Sequence, residues 1–116
     1  MATQLMTVTL WHGKGKQRQG VVVNGRCLIG RHPDCELRLD VDRVSRKHAE
    51  VFVQGGQVCL RDLDSRNGTL LNDRPVPRDQ KPVALNSGDR ITVWLTEIEV
   101  TITTPTAESM AETLAT

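Results

Sequence analysis

The chain has 116 residues, of which 38% are hydrophobic and 25% charged, and its 15 basic and 14 acidic side chains leave a formal charge of +1. That length suffices for one hydrophobic core and not for two. So small a net charge supplies no long-range field to recruit nucleic acid or an anionic membrane surface.

No stretch approaches the roughly 18 consecutive apolar residues of a membrane span. Met1 to Leu10 lacks a charged leader followed by an apolar run, so a cytoplasmic protein is expected. Cys27, Cys35 and Cys59 are an odd set without C-x-x-C spacing, which provides neither a disulfide framework nor a four-cysteine metal site. Cys27 and Cys59 fall inside apolar runs and are expected to behave as small core hydrophobes.

Period two recurs along the chain. Val8 and Leu10 alternate with Thr7, Thr9 and Trp11, which predicts a first half-buried strand. Val21 to Val23 then meet Asn24-Gly25 and return through Arg26-Cys27-Leu28-Ile29, the pattern of a type I′ hairpin. Ala49, Val51 and Val53 alternate with Glu50, Phe52 and Gln54, and Gly55-Gly56 turns the chain into Val58 and Leu60. After Gly88-Asp89, Ile91, Val93 and Leu95 alternate with Thr92, Trp94 and Thr96, and Ile98, Val100 and Ile102 follow with their own alternation. Nowhere is a helical spacing sustained over the roughly ten residues that a helix needs. Short strands with one apolar face each bury it best as two packed sheets. The expected fold class is therefore all-β, a two-sheet β-sandwich, with a small barrel as the structural alternative.

The segments between these strands are rich in groups suited to an anion. Gly30 to Asp34, Val41 to His48 and Asp64 to Asn72 hold Arg31, Arg43, Arg46, Lys47 and Arg66 together with Ser45, Ser65, Asn67 and Thr69. Loops on a rigid scaffold are where binding groups are usually presented. Arginines, a hydroxyl and a side-chain amide suit a dianionic ligand carried on a peptide.

In order along the chain come Gly30-Arg31, Val44-Ser45-Arg46-Lys47-His48, Asp62-Leu63-Asp64-Ser65-Arg66-Asn67-Gly68-Thr69, Asn72, and Leu85-x-x-Gly88-Asp89. This series resembles the forkhead-associated (FHA) domain family over about Met6 to Ile102. The resemblance implies a phosphothreonine-recognising sandwich of two twisted sheets and about eleven short strands. It would occupy residues 1–103 and leave 104–116 as a flexible tail or linker.

The resemblance also assigns roles. Arg31, Ser45 and Arg46 match phosphate-binding positions; the surface alternative for Arg31 is an ion pair with Asp34 or Asp42, and for Arg46 a rim position of little weight. Asn67 matches the asparagine that holds the ligand main chain on the C-terminal side of the phosphothreonine, while also suiting an Asn-Gly turn. Arg66 and Lys47 are further peptide-contacting candidates, with a solvated loop as their alternative. Arg43, on the rim, is a candidate for reading an acidic residue three positions after the phosphothreonine. Gly30, His48, Gly68, Thr69 and Asn72 are expected to support the site structurally. No cofactor, metal or catalytic residue is implied: His12, His32 and His48 lack metal-site spacing, and Ser45 lacks nucleophile-elbow glycines.

The function expected from the resemblance is a phosphothreonine-dependent adaptor downstream of a Ser/Thr kinase, not an enzyme. Its partner would be a kinase substrate or the kinase itself. The threonine-bearing tail, with Thr103, Thr104, Thr106, Thr113 and Thr116, is a self-ligand if phosphorylated, or else a linker. The alternative function is a phospho-independent scaffold that binds through outward apolar residues such as Trp94 and Phe52.

Overall fold

The computed structural model describes residues 6–103. Within them the chain runs through β1 (Thr7–His12), a 3-10 turn (Gly15–Gln17), β2 (Gln19–Val22), β3 (Arg26–Gly30), β4 (Leu37–Arg38), β5 (Ala49–Gln54), β6 (Gln57–Asp62), β7 (Thr69–Leu71), β8 (Arg74–Pro75), β9 (Val83–Ala84), β10 (Arg90–Val93) and β11 (Thr96–Thr103). One sheet has the order β2-β1-β11-β10-β7-β8 and the other β4-β3-β5-β6-β9. Two separate sheets make this a sandwich and not a closed barrel. The 104–116 tail lies outside the described residues.

The alternation read from the sequence sets which side chains go inside. Val8 and Leu10 of β1, Ile91 and Val93 of β10, and Ile98 and Val100 of β11 share one buried cluster with Cys27, Ile29, Ala49, Val51, Val58 and Leu60 of the second sheet. Full burial of one such aliphatic side chain contributes about 1.5–3 kcal/mol. The same period carries Asp62, the last residue of β6, inward after Val58 and Leu60. A carboxylate thus enters the core at the end of the sandwich where β6 gives way to a loop.

Three local expectations are corrected. Asn24-Gly25 does not close a hairpin, because Val22 pairs with Thr9 in the first sheet whereas Arg26 pairs with Phe52 in the second. The Val23 N–H donates to the Val8 carbonyl and the Val53 N–H to that of Gly25, so each sheet captures one side of the turn. Of the two turn residues only Gly25 has positive φ, and a type I′ turn requires it at both. Next, the run from Ile91 to Ile102 is two strands joined at Trp94-Leu95, with Val93 paired to Thr96. The odd-numbered apolar residues before that turn and the even-numbered ones after it mark the change of face. Finally, Cys59 lies on the outward side of β6 and is only half-buried, whereas Cys35 is buried. Gly55-Gly56 does close a two-residue hairpin, at φ 59° and 77°, with Gln54 opposite Gln57.

Gly30 ends β3 against the β4–β5 connection. A Cβ there would lie 2.2 Å from the Arg46 carbonyl oxygen and 3.0 Å from that of Ser45, both backbone atoms without freedom to swing away. Gly30→Ala is expected to cost at least about 2 kcal/mol, measured as a lower urea midpoint at unchanged m-value.

Candidate functional site

The β3–β4, β4–β5 and β6–β7 connections meet at one end of the sandwich and are stitched together by main chain. The Arg31 N–H donates to Ser45 O and the His32 N–H to Arg46 O, both at 3.0 Å. Arg31 Nε donates to Val44 O at 3.1 Å, which anchors the guanidinium and leaves its two terminal nitrogens for other acceptors. Arg31 pairs with neither Asp34 nor Asp42. Its half-buried position fixes a permanent charge beside Ser45.

His48 is fully buried and joins two of these loops. Its Nδ1 accepts the Ser45 backbone N–H at 3.1 Å. A backbone N–H can only donate, so the ring proton resides on Nε2, which donates to the Gly68 carbonyl at 2.8 Å. Both ring nitrogens are committed to main chain, which leaves no free base for a serine hydroxyl. The Ser45 Oγ accepts the Arg66 N–H at 3.0 Å, and its own O–H remains available to donate outward.

Beneath the β6–β7 loop lies the Asp62 carboxylate, fully buried. It accepts from the Ser65 N–H at 2.7 Å, the Ser65 hydroxyl at 2.5 Å and the Thr69 hydroxyl at 2.7 Å. The Ser65 Oγ in turn accepts the Gly68 N–H at 2.9 Å. Gly68 has φ 85°, a conformation that favours glycine. This arrangement holds Arg66 and Asn67 at the loop surface. Thr69, Asp62 and Ser65 brace the loop from inside, and no role as supports was expected for the last two. Asp62 could have been found from the period of β6, which predicts that it points inward.

Asn67 Nδ2 donates to Arg43 O at 2.7 Å, tying the β6–β7 loop to the β4–β5 connection and leaving its carbonyl oxygen free to accept. Arg43 places its guanidinium 5.7 Å from the centre of the Trp94 ring. Arg46, Lys47 and Arg66 are exposed. Asn72 is a correction: it braces a different turn, donating to Asp89 Oδ1 at 3.0 Å and accepting the Arg90 N–H at 2.9 Å. The two residues of β7 beyond Thr69 carry it away from the binding loops to the β9–β10 turn.

One further cation comes from outside these three connections. Arg78, between β8 and β9, donates from Nη1 to Arg66 O at 3.2 Å. Its Nη2 lies 2.8 Å from where a Cβ on Gly68 would be. No local motif surrounds it, and only the fold brings it to the site.

Charge is distributed unevenly. Elsewhere Arg18 pairs with Glu99, Arg26 and Arg61 with Glu50, Arg38 with Asp40, Lys81 with Asp79, and Arg90 with Asp73. At this end Arg31, Arg43, Arg46, Lys47, Arg66 and Arg78 pair with no carboxylate among the described residues, although Asp42 and Asp64 lie in the same loops. An outward hydroxyl, an amide oxygen and unpaired guanidinium groups around it are groups chemically suited to a phosphate on a peptide. The described residues contain no cluster of metal-ligating side chains. Burial pushes the Cys27 thiol up to about 12, which keeps it a protonated core group.

A two-sheet β-sandwich with anion-suited groups on its connecting loops has the form of an interaction module. The FHA domain family model matches residues 27–93, and the chain belongs to that family, whose members are non-catalytic interaction modules. It is similar to the FHA domain-containing protein FhaA of Mycobacterium tuberculosis, at 38% identity over 94 residues covering 81% of this chain and 17% of that protein. It also resembles the glycogen accumulation regulator GarA of Mycolicibacterium smegmatis, at 41% identity over 64 residues covering 55% of this chain and 38% of that protein. The chain thus spans well under half of these two relatives.

Among solved structures, one from a structural and functional analysis of phosphothreonine-dependent FHA domain interactions is 35% identical with a TM-score of 0.71, covering 86% of this chain and 99% of that one. The FHA domain of FhaA, complexed with the intracellular domain of Rv3910, is 36% identical with a TM-score of 0.66, covering 80% of this chain and 98% of that one.

Burial lowers the His48 pKa below its ordinary value, against the smaller opposing pull of its bond to Gly68 and of Asp62. An imidazole has a pKa of about 6.5 in an unfolded chain. As pH falls through that value the unfolded chain takes up a proton that the folded one refuses, so stability present above it is lost until pH passes the folded pKa. Urea midpoints are expected to fall below about pH 6.5, and an NMR titration of the His48 ring should give a midpoint under that value.

Proposed function

We propose that this domain binds phosphothreonine-containing segments of partner proteins and acts as a signalling adaptor downstream of a Ser/Thr kinase. Arg31, Ser45 and Arg46 would hold the phosphate, and Asn67, Arg66, Lys47 and Arg43 the flanking peptide. The observation that carries this reading is the contrast between a paired surface and an unpaired rim. Among the described residues the cations around Ser45 have no carboxylate partner, and the buried His48 and Asp62 networks hold the loops open to solvent.

A phosphothreonine brings about −1.5 to −2 charge and three strong acceptor oxygens at neutral pH. The guanidinium groups and the Ser45 hydroxyl can donate to them, while the Asn67 oxygen can accept a ligand backbone N–H. Further support comes from the structure 35% identical to this chain, which belongs to a study of phosphothreonine-dependent interactions. The partner is a kinase substrate or the kinase itself. Self-capture of a phosphorylated tail involves residues 104–116, outside those described. For the phospho-independent scaffold alternative, Phe52 and Trp94 do not make one patch: Phe52 lies on β5, 4.9 Å beneath the Arg61 guanidinium, and Trp94 lies in the turn between β10 and β11 of the other sheet.

Isothermal titration with a phosphothreonine peptide pool tests the reading, beside unphosphorylated and phosphoserine pools. Binding is expected only with phosphate, weakened about fourfold when the threonine methyl is absent. It should fall by about tenfold or more in Arg31→Ala or Ser45→Ala, since a charge-assisted hydrogen bond contributes about 1.5–3 kcal/mol. A folded sample that binds its partner equally well after phosphatase treatment would refute this function.

A further inference from the structure

Four backbone groups flank Asn67, the N–H and carbonyl of Arg66 before it and of Gly68 after it, and each is tied to a different side chain. The Arg66 N–H donates to Ser45 Oγ at 3.0 Å, the Gly68 N–H to Ser65 Oγ at 2.9 Å, and the Gly68 carbonyl accepts from His48 Nε2 at 2.8 Å. Those three side chains belong to the β4–β5 and β6–β7 connections themselves. The fourth group, the Arg66 carbonyl, accepts from Arg78 Nη1 at 3.2 Å, and Arg78 stands 12 residues away on another connection.

The β8–β9 connection aims this side chain at the loop. Val76 is buried and its N–H donates to the Thr69 carbonyl at 3.0 Å, which fixes the connection beside the start of β7. Pro75 and Pro77 on either side of Val76 have ring-locked φ, so the chain entering Arg78 has little freedom. The adjacent carboxylate, Asp79, is turned to Lys81 instead, accepting its N–H at 3.2 Å and lying 3.7 Å from its Nζ. The Arg78 guanidinium is left to the loop, and it does more there than donate once. A Cβ on Gly68 would lie 2.8 Å from Nη2, 3.1 Å from Nε and 3.3 Å from Cζ, so the guanidinium occupies the space beside Gly68 that a side chain would otherwise fill.

We propose that Arg78 is a positioning residue for phosphopeptide binding: it fixes Arg66 and Gly68, and through them holds Asn67 where its amide oxygen meets the ligand main chain. This rests on the phosphopeptide reading above and deepens it by adding a residue from a fourth connection. A guanidinium suits the task, because its rigid plane can donate from one nitrogen while the rest packs against backbone, and its charge does not vary with pH. The bond lies at the surface, so its weight in overall stability is small. Its effect is local: it removes freedom that Asn67 would otherwise lose on binding.

The test is a set of titrations with one phosphothreonine peptide at physiological ionic strength, where charges more than about 8 Å apart are largely screened, and at concentrations high enough to follow the weakest variant. The chains are the unaltered one, Arg78→Ala, Asn67→Ala, the double variant of these two, and Arg31→Ala. Arg78→Ala is expected to weaken binding about three- to tenfold, the span of one hydrogen bond. In the Asn67→Ala chain the same substitution should change binding by less than about twofold, because residues that act as a unit are not additive. The urea midpoint should be unchanged in Arg78→Ala, while NMR shows faster hydrogen exchange at the Arg66, Asn67 and Gly68 amides and none in the core strands.

An Arg78→Ala chain that binds like the unaltered one overturns the positioning role. So does a loss of the same size with and without Asn67, which would mean that Arg78 acts on the ligand independently of that residue. A lowered urea midpoint with faster exchange throughout the core would make Arg78 a general stabilising residue and also overturn the proposal. In these three cases phosphothreonine recognition stands, provided that the unaltered chain binds and Arg31→Ala binds more weakly. No phosphate-dependent binding by the folded unaltered chain removes both readings.

Discussion

A neutral imidazole buried between two loops is the contact on which the site depends. His48 accepts from the main chain of the Ser45 loop at one nitrogen and donates to the main chain of the Gly68 loop from the other. Each loop is thereby positioned by reference to the other; Ser45 and Asn67 add one side-chain tie each, to the Arg66 N–H and the Arg43 carbonyl, and keep the Ser45 O–H and the Asn67 carbonyl oxygen free. Protonation would set an N–H against an N–H at Ser45. The arrangement needs the neutral ring, and burial keeps it neutral.

The Asp62 carboxylate does for the inside of the β6–β7 loop what His48 does between loops. Three donors converge on it, two from Ser65 and one from Thr69, so a buried charge is satisfied without a cation in direct contact among the described residues. The guanidinium groups of the rim are thus not drawn inward to neutralise it. The interior of this end is saturated with hydrogen bonds, and the exterior is left with positive charge and spare donors. Preorganisation of this kind lowers the ordering cost of binding, because loops already fixed lose little freedom when a ligand arrives.

The ends of the strands explain why one pole of the sandwich holds all of this. Gly30 and Asp62 end their strands and Thr69 begins one here, and the connections joined to them are polar. Close approach of the Gly30 backbone to Ser45 and Arg46 packs the β4–β5 connection against the sheet edge. The Trp94-Leu95 turn lies beside Thr69, since Val93 pairs with that residue.

The sequence by itself determined the β-sandwich class and the inward face of most strands, and its family resemblance put Arg31, Ser45, His48, Asn67 and Gly68 forward as one candidate site. These are local properties: a period of two decides which face is buried, and short motifs carry their own turn chemistry. Tertiary structure alone decided the rest. Asn24-Gly25 reads as a hairpin because its residues suit one, but two sheets compete for its flanking strands. Asn72 reads as part of the same motif as Asn67, yet β7 carries it to another turn. Arg78 has no motif around it and reaches the site only because the β8–β9 connection folds back over Gly68. Trp94 and Leu95 read as strand residues until the pairing of Val93 with Thr96 makes them a turn. In each case the deciding contacts join residues distant in the chain, and no local pattern encodes which distant segment arrives.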